Sequence, residues 1–323
     1  MKVNRALVTG GAGFIGSHIV DALLRRDIEV CVLDDLSTGS LENLAHHKGD
    51  TRLTFLNGDV RAVESIGVLP DGIDVVFHEA AIASVPRSVD DPMTVHDVNV
   101  NASLMMMNFC VKHGVRRFVF ASSAAVYGTV LNPPATEDDY CAPGSPYGAS
   151  KLSVENYMHA YHSSYGLETV ALRYFNVYGS RQRANDEYSG VIPLFARQVL
   201  GSVTPKIYGD GLQTRDFVHA RDVAAANLLA MDSDASPGQV FNVATGRQVT
   251  ILGLLEALAA AAGSGPVTPK FEVVRRGDLR VGSASIDKAR QSLGFKPKVS
   301  LEDGLSDVLS YIRERPGLGV VAS

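Results

Sequence analysis

The chain has 323 residues, a formal net charge of −5 and 46% hydrophobic residues, enough for one large core or two smaller ones. The acidic balance argues against a nucleic-acid partner attracted by charge, and no apolar run approaches the roughly 18 residues of a membrane span. Because the chain enters a strand directly, we expect no signal peptide and a cytoplasmic location. Its three separated cysteines indicate reduced thiols, so we expect neither disulfides nor a metal site.

Short apolar strands alternate with helical patterns through the first half of the chain. The predicted strands are at 5–9, 29–34, 53–58, 74–79, 117–121 and 168–174. The predicted helices are at 14–26, 40–46, 62–67, 95–113 and 147–165. Alternation at this spacing predicts an α/β fold with a parallel, doubly wound sheet, and ligands of such sheets bind beyond the carboxyl ends of the strands.

The pattern loosens after about residue 175, where shorter elements follow a polar segment. Helices are predicted at 191–200, 219–231, 250–263 and 301–314, and strands near 206–208, 239–243 and 270–274. We therefore expect a smaller, interleaved C-terminal α/β domain that closes over the site. The expected division is a first domain at 1–175, with about 210–245 returning to it, a second domain at 176–315 and a tail at 316–323.

A glycine-rich stretch joins the first predicted strand to the first helix. Gly10 permits a sharp turn with positive φ, Gly13 leaves room for a pyrophosphate, and Gly16 lets the helix pack closely on the strand. The second strand ends in Asp34, 18 residues after Gly16, where a carboxylate can bind ribose hydroxyls. Together these features predict a Rossmann-type dinucleotide site rather than a chance glycine-rich turn.

Tyr147 and Lys151 lie four residues apart at the start of a predicted helix, so their side chains share one face. A free tyrosine has a pKa of about 10 and is a poor base, but a nearby ammonium and an oxidised nicotinamide both favour the phenolate. The pair could therefore deprotonate an alcohol while hydride leaves its carbon. Ser122 and Ser123, at the end of the 117–121 strand, could supply a hydroxyl to the same oxygen. The alternative is a surface pair at a common helical spacing.

Seven motifs in order carry a family resemblance. They are Thr-Gly-Gly-Ala-Gly-Phe-Ile-Gly at 9–16, Gly58-Asp59-Val60, His78-Glu79-Ala80-Ala81, Asn99-Val100-Asn101, Ser122-Ser123, Tyr147 with Lys151, and Arg173-Tyr174-Phe175-Asn176-Val177-Tyr178-Gly179. At these spacings the chain resembles the extended short-chain dehydrogenase/reductase family, and within it the UDP-hexose 4-epimerases. The resemblance extends from residue 3 to about residue 312.

The resemblance implies NAD as the cofactor. A carboxylate at Asp34 would repel a 2′-phosphate, which favours NAD over NADP. Asn99 resembles a structural asparagine of the family, and Tyr174 would flank the nicotinamide; simple packing is the alternative for Ala80 and Ala81. The implied cofactor-binding residues are Gly10, Gly13, Phe14, Ile15, Gly16, Asp34, Asp35, Leu36, Ser37, Thr38, Gly39, Asp59, Val60, Ala80, Ala81, Ala83, Asn99, Ser122, Tyr147, Lys151, Tyr174 and Val177.

The resemblance also implies a UDP-sugar substrate. Arginine suits diphosphate binding because its planar fork matches phosphate oxygens, and either Arg275 or Arg276 could serve beside Arg215. Asp278 resembles an acid that binds the uridine ribose. The implied substrate-binding residues are Ser84, Arg87, Ser123, Tyr147, Asn176, Val191, Ile207, Tyr208, Arg215, Arg275, Asp278 and Gly282, and the implied catalytic residues are Ser123, Tyr147 and Lys151.

The reaction follows from what is missing beside the serine pair. Dehydratases and decarboxylases of the family carry an acid there, whereas this chain has Ala124 and Ala125. Epimerisation at C4 through a transient 4-keto sugar is therefore the implied reaction; a nucleotide-sugar 4-reductase and a non-enzymatic NAD-binding sensor are the alternatives. Glycine at Gly282 leaves room for a 2-acetamido group, so UDP-GlcNAc and UDP-GalNAc join UDP-Glc and UDP-Gal as expected substrates. Arg87 could instead bind the carboxylate of a uronate.

A homodimer is expected, because helices 95–113 and 147–165 carry apolar side chains beyond those that one sheet needs. On the first helix these are Leu104, Met105, Met106 and Phe109. In the family the matching helices pair as a four-helix bundle. The alternative is an intramolecular core in which the methionines fill gaps.

Overall fold

The computed structural model describes residues 3–65, 69–130, 132–183, 190–274 and 282–315. Its strands are β1 (Arg5–Thr9), β2 (Glu29–Asp34), β3 (Leu53–Asn57), β4 (Val75–His78), β5 (Arg117–Ser123), β6 (Glu168–Tyr174), β7 (Asn176–Tyr178), β8 (Lys206–Tyr208), β9 (Thr214–Arg215), β10 (Phe217–His219), β11 (Gln239–Val243), β12 (Val249–Thr250) and β13 (Lys270–Glu272). Seven of them form one sheet in the order β11-β6-β5-β4-β1-β2-β3, and every neighbouring pair is parallel. This confirms the predicted doubly wound Rossmann-type sheet.

Helices cover both faces of this sheet. They are α1 (Phe14–Leu24), α2 (Val85–Asp90), α3 (Pro92–His96), α4 (Ala102–Lys112), α5 (Pro146–Tyr165), α6 (Val191–Leu200), α7 (Ala220–Asp232), α8 (Ile251–Ala262), α9 (Asp287–Leu293) and α10 (Leu301–Arg313). One apolar cluster joins the sheet to α1, α7 and α9, and a second joins it to α4 and α5. Among the described residues, no helix has the length and apolar character needed to cross a membrane.

A third apolar cluster lies in the later part of the chain. It is formed mainly by α6, α8 and α10, with Ile207 from β8 and Phe217 from β10. Three two-stranded sheets accompany these helices: β7 with β10, β9 with β12, and β8 with β13. The later elements therefore have a core of their own beside the main sheet.

Several predicted elements differ from the observed ones. The predicted helix 95–113 begins earlier, as α3, and passes through a π-helical turn at Asp97–Asn101 before α4. The helices expected at 40–46 and 62–67 are short 3₁₀ segments at Leu41–His47 and Val60–Ser65. The prediction missed α2, α9 and the strands β7, β9, β10 and β12, because elements of two to seven residues show little periodicity.

The helix α5 begins at a strong local signal. The Ser145 side chain accepts a hydrogen bond from the Gly148 N–H at 3.2 Å, and Pro146 occupies the first helical position. The helix ends at Gly166, whose φ of +71° suits glycine. These signals place residue 147 in the first turn, above the carboxyl edge of the sheet.

A buried arginine ties the opposite edge of the sheet to α7. The Arg117 guanidinium donates to the Glu168 carboxylate and to the carbonyl oxygens of Ala230, Met231 and Ser233 at the end of α7. Its side chain is 1% exposed. A cation is favourable where helical carbonyl groups end, so Arg117 satisfies several buried acceptors at once.

Arg117→Leu should lower the free energy of unfolding by about 3 kcal/mol, because the α7 carbonyl oxygens lose their buried donor. Arg116 is the matched control, since it also pairs with Glu168 but is 44% exposed. Arg116→Leu should cost less than about 1 kcal/mol. Urea unfolding of the two variants measures the difference, and equal losses would contradict this account.

Candidate active site

A tight glycine loop joins β1 to α1 at the carboxyl edge of the sheet. Gly10 has a φ of +67°, and a Cβ there would lie 2.8 Å from the backbone nitrogen of Ala80. A Cβ on Gly16 would lie 2.2 Å from the carbonyl oxygen of Gly10. Gly13 precedes α1 and offers no side chain to cap its first N–H groups. The loop is therefore a cradle whose N–H donors suit a phosphate.

The buried carboxylate of Asp34 lies at the end of β2, beside this loop. It accepts hydrogen bonds from the backbone N–H groups of Ala12, at 3.0 Å, and Leu36, at 2.8 Å. Burial raises the pKa of Asp34, and these N–H donors oppose the rise. Leu36 has a φ of +59°, which a non-glycine residue rarely adopts. The backbone thus fixes one carboxylate at the rim of the cradle.

Tyr147, Lys151 and Ser123 meet where α5 begins above the end of β5. The Lys151 ammonium donates to the carbonyl oxygen of Ala121 at 2.8 Å and lies 5.9 Å from the centre of the Tyr147 ring. The Ser123 hydroxyl lies beside the Tyr147 phenol, whose pKa it lowers, and it accepts the Ala125 N–H at 3.2 Å. One helical turn and one strand end therefore bring a phenol, an ammonium and a hydroxyl together.

Burial dominates the protonation of the tyrosine and the lysine. It raises the pKa of Tyr147; the hydrogen bond with Ser123 lowers that pKa, and the Glu79 charge raises it further. Burial also lowers the pKa of Lys151 to about 8, against the charges of Glu79 and Glu155. In the protein without a cofactor, the pKa of the Tyr147 phenol therefore stays above its ordinary value. A further positive charge at the site would favour the phenolate.

Asn99, on the π-helical turn, clamps the start of α5. Its Oδ1 accepts the Ile82 N–H at 2.8 Å, and its Nδ2 donates to the Ile82 carbonyl oxygen and to the Ser150 hydroxyl oxygen at 3.1 Å. The Ser150 hydroxyl in turn donates to the carbonyl oxygen of Tyr147 at 2.7 Å. Asn99 is buried, and both ends of its amide are hydrogen-bonded. This agrees with the family's structural asparagine, and equally with an asparagine that is simply satisfied within the core.

Comparison with known proteins agrees with this geometry. The sequence model of the family described as "NAD dependent epimerase/dehydratase family" matches residues 6–244. The chain belongs to this family. The UDP-glucose 4-epimerase of Mycolicibacterium smegmatis is 40% identical over 313 residues, which cover 96% of this chain and 99% of that protein. The predicted family is thereby confirmed.

Solved structures of family members have the same fold. A UDP-N-acetylglucosamine 4-epimerase from Methanobrevibacter ruminantium, in complex with UDP-N-acetylmuramic acid, superposes with a TM-score of 0.92 at 40% identity, covering 98% of this chain and 100% of that one. A Thermus thermophilus UDP-glucose 4-epimerase in complex with NAD gives 0.84 at 39% identity, covering 96% and 99%. The resemblance therefore extends over nearly the whole chain.

The predicted cofactor residues gather at the carboxyl ends of successive parallel strands. After β1 come Gly10 to Gly16; after β2, Asp34 to Gly39; after β3, Asp59 and Val60; after β4, Ala80, Ala81 and Ala83; at the ends of β5 and β6, Ser122 and Tyr174; and in β7, Val177. Asp59 is paired with Arg61 at 2.5 Å. The main sheet therefore brings these residues to one edge, as the family pattern implies, except for Val177, whose strand β7 pairs with β10 in a separate sheet.

Ser122 points away from its neighbour Ser123, because successive strand residues face opposite sides. Its hydroxyl donates to the buried Glu155 carboxylate. Glu155 also accepts two bonds from the Arg173 guanidinium, at 3.0 and 2.7 Å. The proton of the Ser122 hydroxyl is therefore used within the protein, and its contact with the cofactor stays a prediction. Glu155 was missed; its position one turn after Lys151 was the available signal.

The predicted substrate residues are scattered more widely along the chain. Ser84 caps α2 by accepting the N–H of Arg87, whose side chain is exposed. Asn176 donates from its Nδ2 to the Asp216 carbonyl oxygen at 3.0 Å. Ile207 is buried in the third apolar cluster, while Tyr208 beside it and Val191 at the start of α6 are partly exposed.

Gly282 and Arg215 are brought together by the backbone. The Gly282 N–H donates to the Thr214 carbonyl oxygen at 3.0 Å, and a Cβ on Gly282 would lie 3.3 Å from Arg215 Cδ. A side chain here would therefore press on Arg215. Arg275, Arg276 and Asp278 lie outside the described residues.

A separate polar cluster lies on α1. The Asp21 carboxylate is hydrogen-bonded at 2.8 Å to both His46 and His47, and its other oxygen accepts from Arg181 at 2.7 Å. Burial raises the pKa of Asp21, but the hydrogen bonds from these partners outweigh burial. The pKa of Asp21 therefore lies below its ordinary value. The cluster therefore ties α1 to the 3₁₀ turn and to the segment after β7.

Gly16→Ala should reduce bound NAD in the purified protein at least about tenfold, because a Cβ at 2.2 Å forces the cradle open. Gly265→Ala is the control, since a Cβ there meets nothing within 4 Å. Cofactor absorbance after gel filtration checks the expectation. Full NAD content in Gly16→Ala would show that the loop does not bind the pyrophosphate.

Proposed function

We propose that the protein is an NAD-dependent 4-epimerase of UDP-hexoses. The observation that carries this proposal is the half-buried Tyr147 phenol, which lies beside Ser123 and one turn before Lys151, next to a glycine-rich cradle. Two of the similar family members described above are UDP-glucose 4-epimerases. Ala124 and Ala125 follow Ser123 without an acid, which supports epimerisation over elimination.

The residues at the cradle fit NAD. Gly10, Gly13 and Gly16 leave the space that a pyrophosphate would need, and α1 directs N–H groups toward it. Beyond its backbone hydrogen bonds, the Asp34 carboxylate keeps a lone pair free for ribose hydroxyls. When bound, NAD⁺ supplies the acceptor, and afterwards the donor, for the hydrogen on the sugar C4. The positive charge of the oxidised nicotinamide would also favour the phenolate form of Tyr147.

The chain's own residues handle the hydroxyl proton. Tyr147 takes the proton of the 4-hydroxyl group, and Ser123 holds the same oxygen by a hydrogen bond. The Lys151 ammonium stabilises the phenolate from its fixed position on Ala121. After the 4-keto sugar rotates to present its opposite face, Tyr147 returns the proton to the oxygen on C4. The Asn99 and Ser150 bonds keep this turn of helix in place throughout.

The substrate is held by the later part of the chain in this proposal. We assign Arg215, Asn176, Ile207 and Tyr208 to the nucleotide, with Gly282 beside the sugar. The third apolar cluster supports the expected domain division, with a first domain at 1–175, to which about 210–245 returns, and a smaller one at 176–315. The packing of α7 and β11 in the first cluster supports that return. The cytoplasmic location stays a prediction.

Incubation of the purified protein with UDP-Gal, and separately with UDP-GalNAc, tests the proposal when no NAD is added. An epimerase keeps its cofactor, so we expect UDP-Glc and UDP-GlcNAc to form. A 4-reductase would need a supply of reduced cofactor. No inversion of either substrate, even with NAD added, would contradict the proposal.

Tyr147→Phe should lower kcat at least about 100-fold, because the 4-hydroxyl loses its base, while NAD content stays unchanged. Tyr165→Phe is the matched control on the same helix, since Tyr165 is 62% exposed. Steady-state assays of the two variants check the expectation. A Tyr147→Phe rate close to that of the unmodified enzyme would identify a different base.

Gly282→Tyr should reduce kcat/KM for UDP-GlcNAc at least about tenfold more than for UDP-Glc, because the larger side chain takes the space of the acetamido group. Gly282→Ala separates this effect from displacement of Arg215. Assays with UDP-glucuronate address Arg87, which could bind a carboxylate. Negligible turnover of UDP-GlcNAc beside robust turnover of UDP-Glc in the unmodified protein would reject the wide pocket.

The exposed apolar surface of α4 and α5 is smaller than the sequence predicts. Met106 and Phe109 are buried in the core of their own subunit, and Leu104 packs against that core, so the intramolecular alternative is right for these three. Met105, on the same helix, is 42% exposed, and Tyr157 on α5 is 44% exposed. We propose that α4 and α5 pair with the same helices of a second copy through these side chains.

The double variant Met105→Glu and Tyr157→Glu should be monomeric, because four carboxylates would then face one another across the proposed interface. Val203→Glu is a control on an exposed residue elsewhere, at 42% exposure. Light scattering after gel filtration gives the mass of each protein. A dimer that survives the double variant would place the interface elsewhere.

A further inference from the structure

A half-buried carboxyl group that the proposed mechanism does not use lies at the carboxyl edge of the sheet, near the catalytic pair. Glu79 follows β4, and its backbone N–H donates to the Thr9 carbonyl oxygen at 3.1 Å. Its carboxylate Oε1 accepts a hydrogen bond of 2.8 Å from the Tyr174 hydroxyl at the end of β6. Because β5 lies between β4 and β6 in the sheet, this bond crosses the strand end that carries Ser123.

The position of this carboxyl group is fixed from behind. The Tyr174 hydroxyl oxygen accepts a hydrogen bond of 2.8 Å from Nδ2 of Asn227, which is fully buried in α7. Asn227 also donates to the Val223 carbonyl oxygen at 2.9 Å. A tyrosine hydroxyl has one proton, so Tyr174 accepts from Asn227 and directs its own O–H to Glu79. A chain of two hydrogen bonds thus leads from α7 to the active site.

Ionisable groups face Glu79 from two elements: Tyr174 on β6, and Tyr147 with Lys151 on α5. Burial raises the pKa of Glu79 to about 7, against the Tyr174 hydrogen bond and the Lys151 charge. The Glu79 charge in turn raises the pKa of Tyr147 and that of Lys151. The carboxyl therefore changes charge near neutral pH and acts on both members of the catalytic pair.

Two further ionisable groups lie nearby and do not compete for this role. His78 precedes Glu79, and burial lowers its pKa to about 3, so the imidazole is neutral at working pH. Glu155 raises the pKa of Lys151 but is paired with the Arg173 guanidinium at 2.7 Å. Glu79 has no such cation of its own among its hydrogen bonds in the described part of the chain.

We propose that Glu79 is a positioning residue that sets the pH range of the reaction by acting on Tyr147. The proposal rests on the function proposed above. Ionised Glu79 opposes formation of the Tyr147 phenolate, whereas protonated Glu79 does not. Above about pH 7 the phenolate therefore forms against a neighbouring negative charge, and the protons of the two groups are lost as a coupled set.

Glu79→Gln tests this proposal in the NAD-loaded enzyme. The glutamine keeps the size and the oxygen that accepts from Tyr174, and removes the charge. The acid limb of the pH profile of kcat/KM should move to lower pH by about one unit, because the phenolate no longer forms beside a carboxylate. Glu79→Asp keeps the charge and should keep the limb where it is. Glu64→Gln, which removes an exposed partner of Lys112, should leave the profile unchanged.

A second readout needs no turnover. Tyrosinate absorbance, taken as the difference between each protein and the same protein with Tyr147→Phe, gives the pKa of this phenol directly. It should be lower in Glu79→Gln by the same amount. An unmoved titration and acid limb would overturn the proposal, as would a loss of kcat/KM that is uniform across pH, which a structural role predicts. If the enzyme inverts no UDP-sugar, the proposed function is wrong, and the tyrosinate titration still decides the role of Glu79.

Discussion

The fixed position of the Lys151 ammonium is the constraint on which this active site depends. The side chain is 3% exposed, donates to the Ala121 carbonyl oxygen at 2.8 Å and lies 4.7 Å above the centre of the Phe120 ring. Burial lowers its pKa to about 8, so the neighbouring acids are needed to keep it charged. The hydrogen bond of Lys151 joins α5 to the end of β5, and Tyr147, one turn earlier on α5, lies beside Ser123. Burial raises the pKa of the Tyr147 phenol in the protein without cofactor. The phenol can therefore act as a base only when a further positive charge is bound nearby.

The parallel sheet explains why the cofactor cradle and the catalytic pair are neighbours. All seven strands run in the same direction, so their carboxyl ends share one edge. The strand order reverses between β1 and β4, the place where such sheets bind ligands. Gly10 at the end of β1 packs against the backbone after β4, and the residue there, Glu79, reaches across β5 to Tyr174. A single edge thus links the cofactor loop, the carboxyl group and the base.

The sequence was sufficient for what local patterns determine. The alternation of strands and helices predicted the sheet, and glycine spacing predicted the β1–α1 loop. The four-residue spacing of Tyr147 and Lys151 predicted that the base and its lysine share one face of α5. The four apolar positions singled out on α4 were harder, because periodicity marks an apolar face without showing which part of the protein packs against it. Met106 and Phe109 proved to serve their own core.

Other features depend on contacts between distant residues, which one sequence does not display. Ser122 and Ser123 are adjacent, yet only the strand's register shows that one faces Glu155 and the other the phenol. Glu79 stood inside a recognised motif, but its partner Tyr174 is 95 residues away. Burial raises the pKa of Glu79, and the burial of a side chain cannot be read from its residue type.

The most direct measurement follows the hydrogen on C4 of the sugar. UDP-glucose that carries deuterium at C4 is incubated with the purified protein in ordinary water, without added NAD. We predict UDP-galactose that retains the deuterium at C4, because the same hydrogen is removed and returned while Tyr147 handles only the hydroxyl proton. A product with solvent hydrogen at C4, or no UDP-galactose at all, would contradict the account.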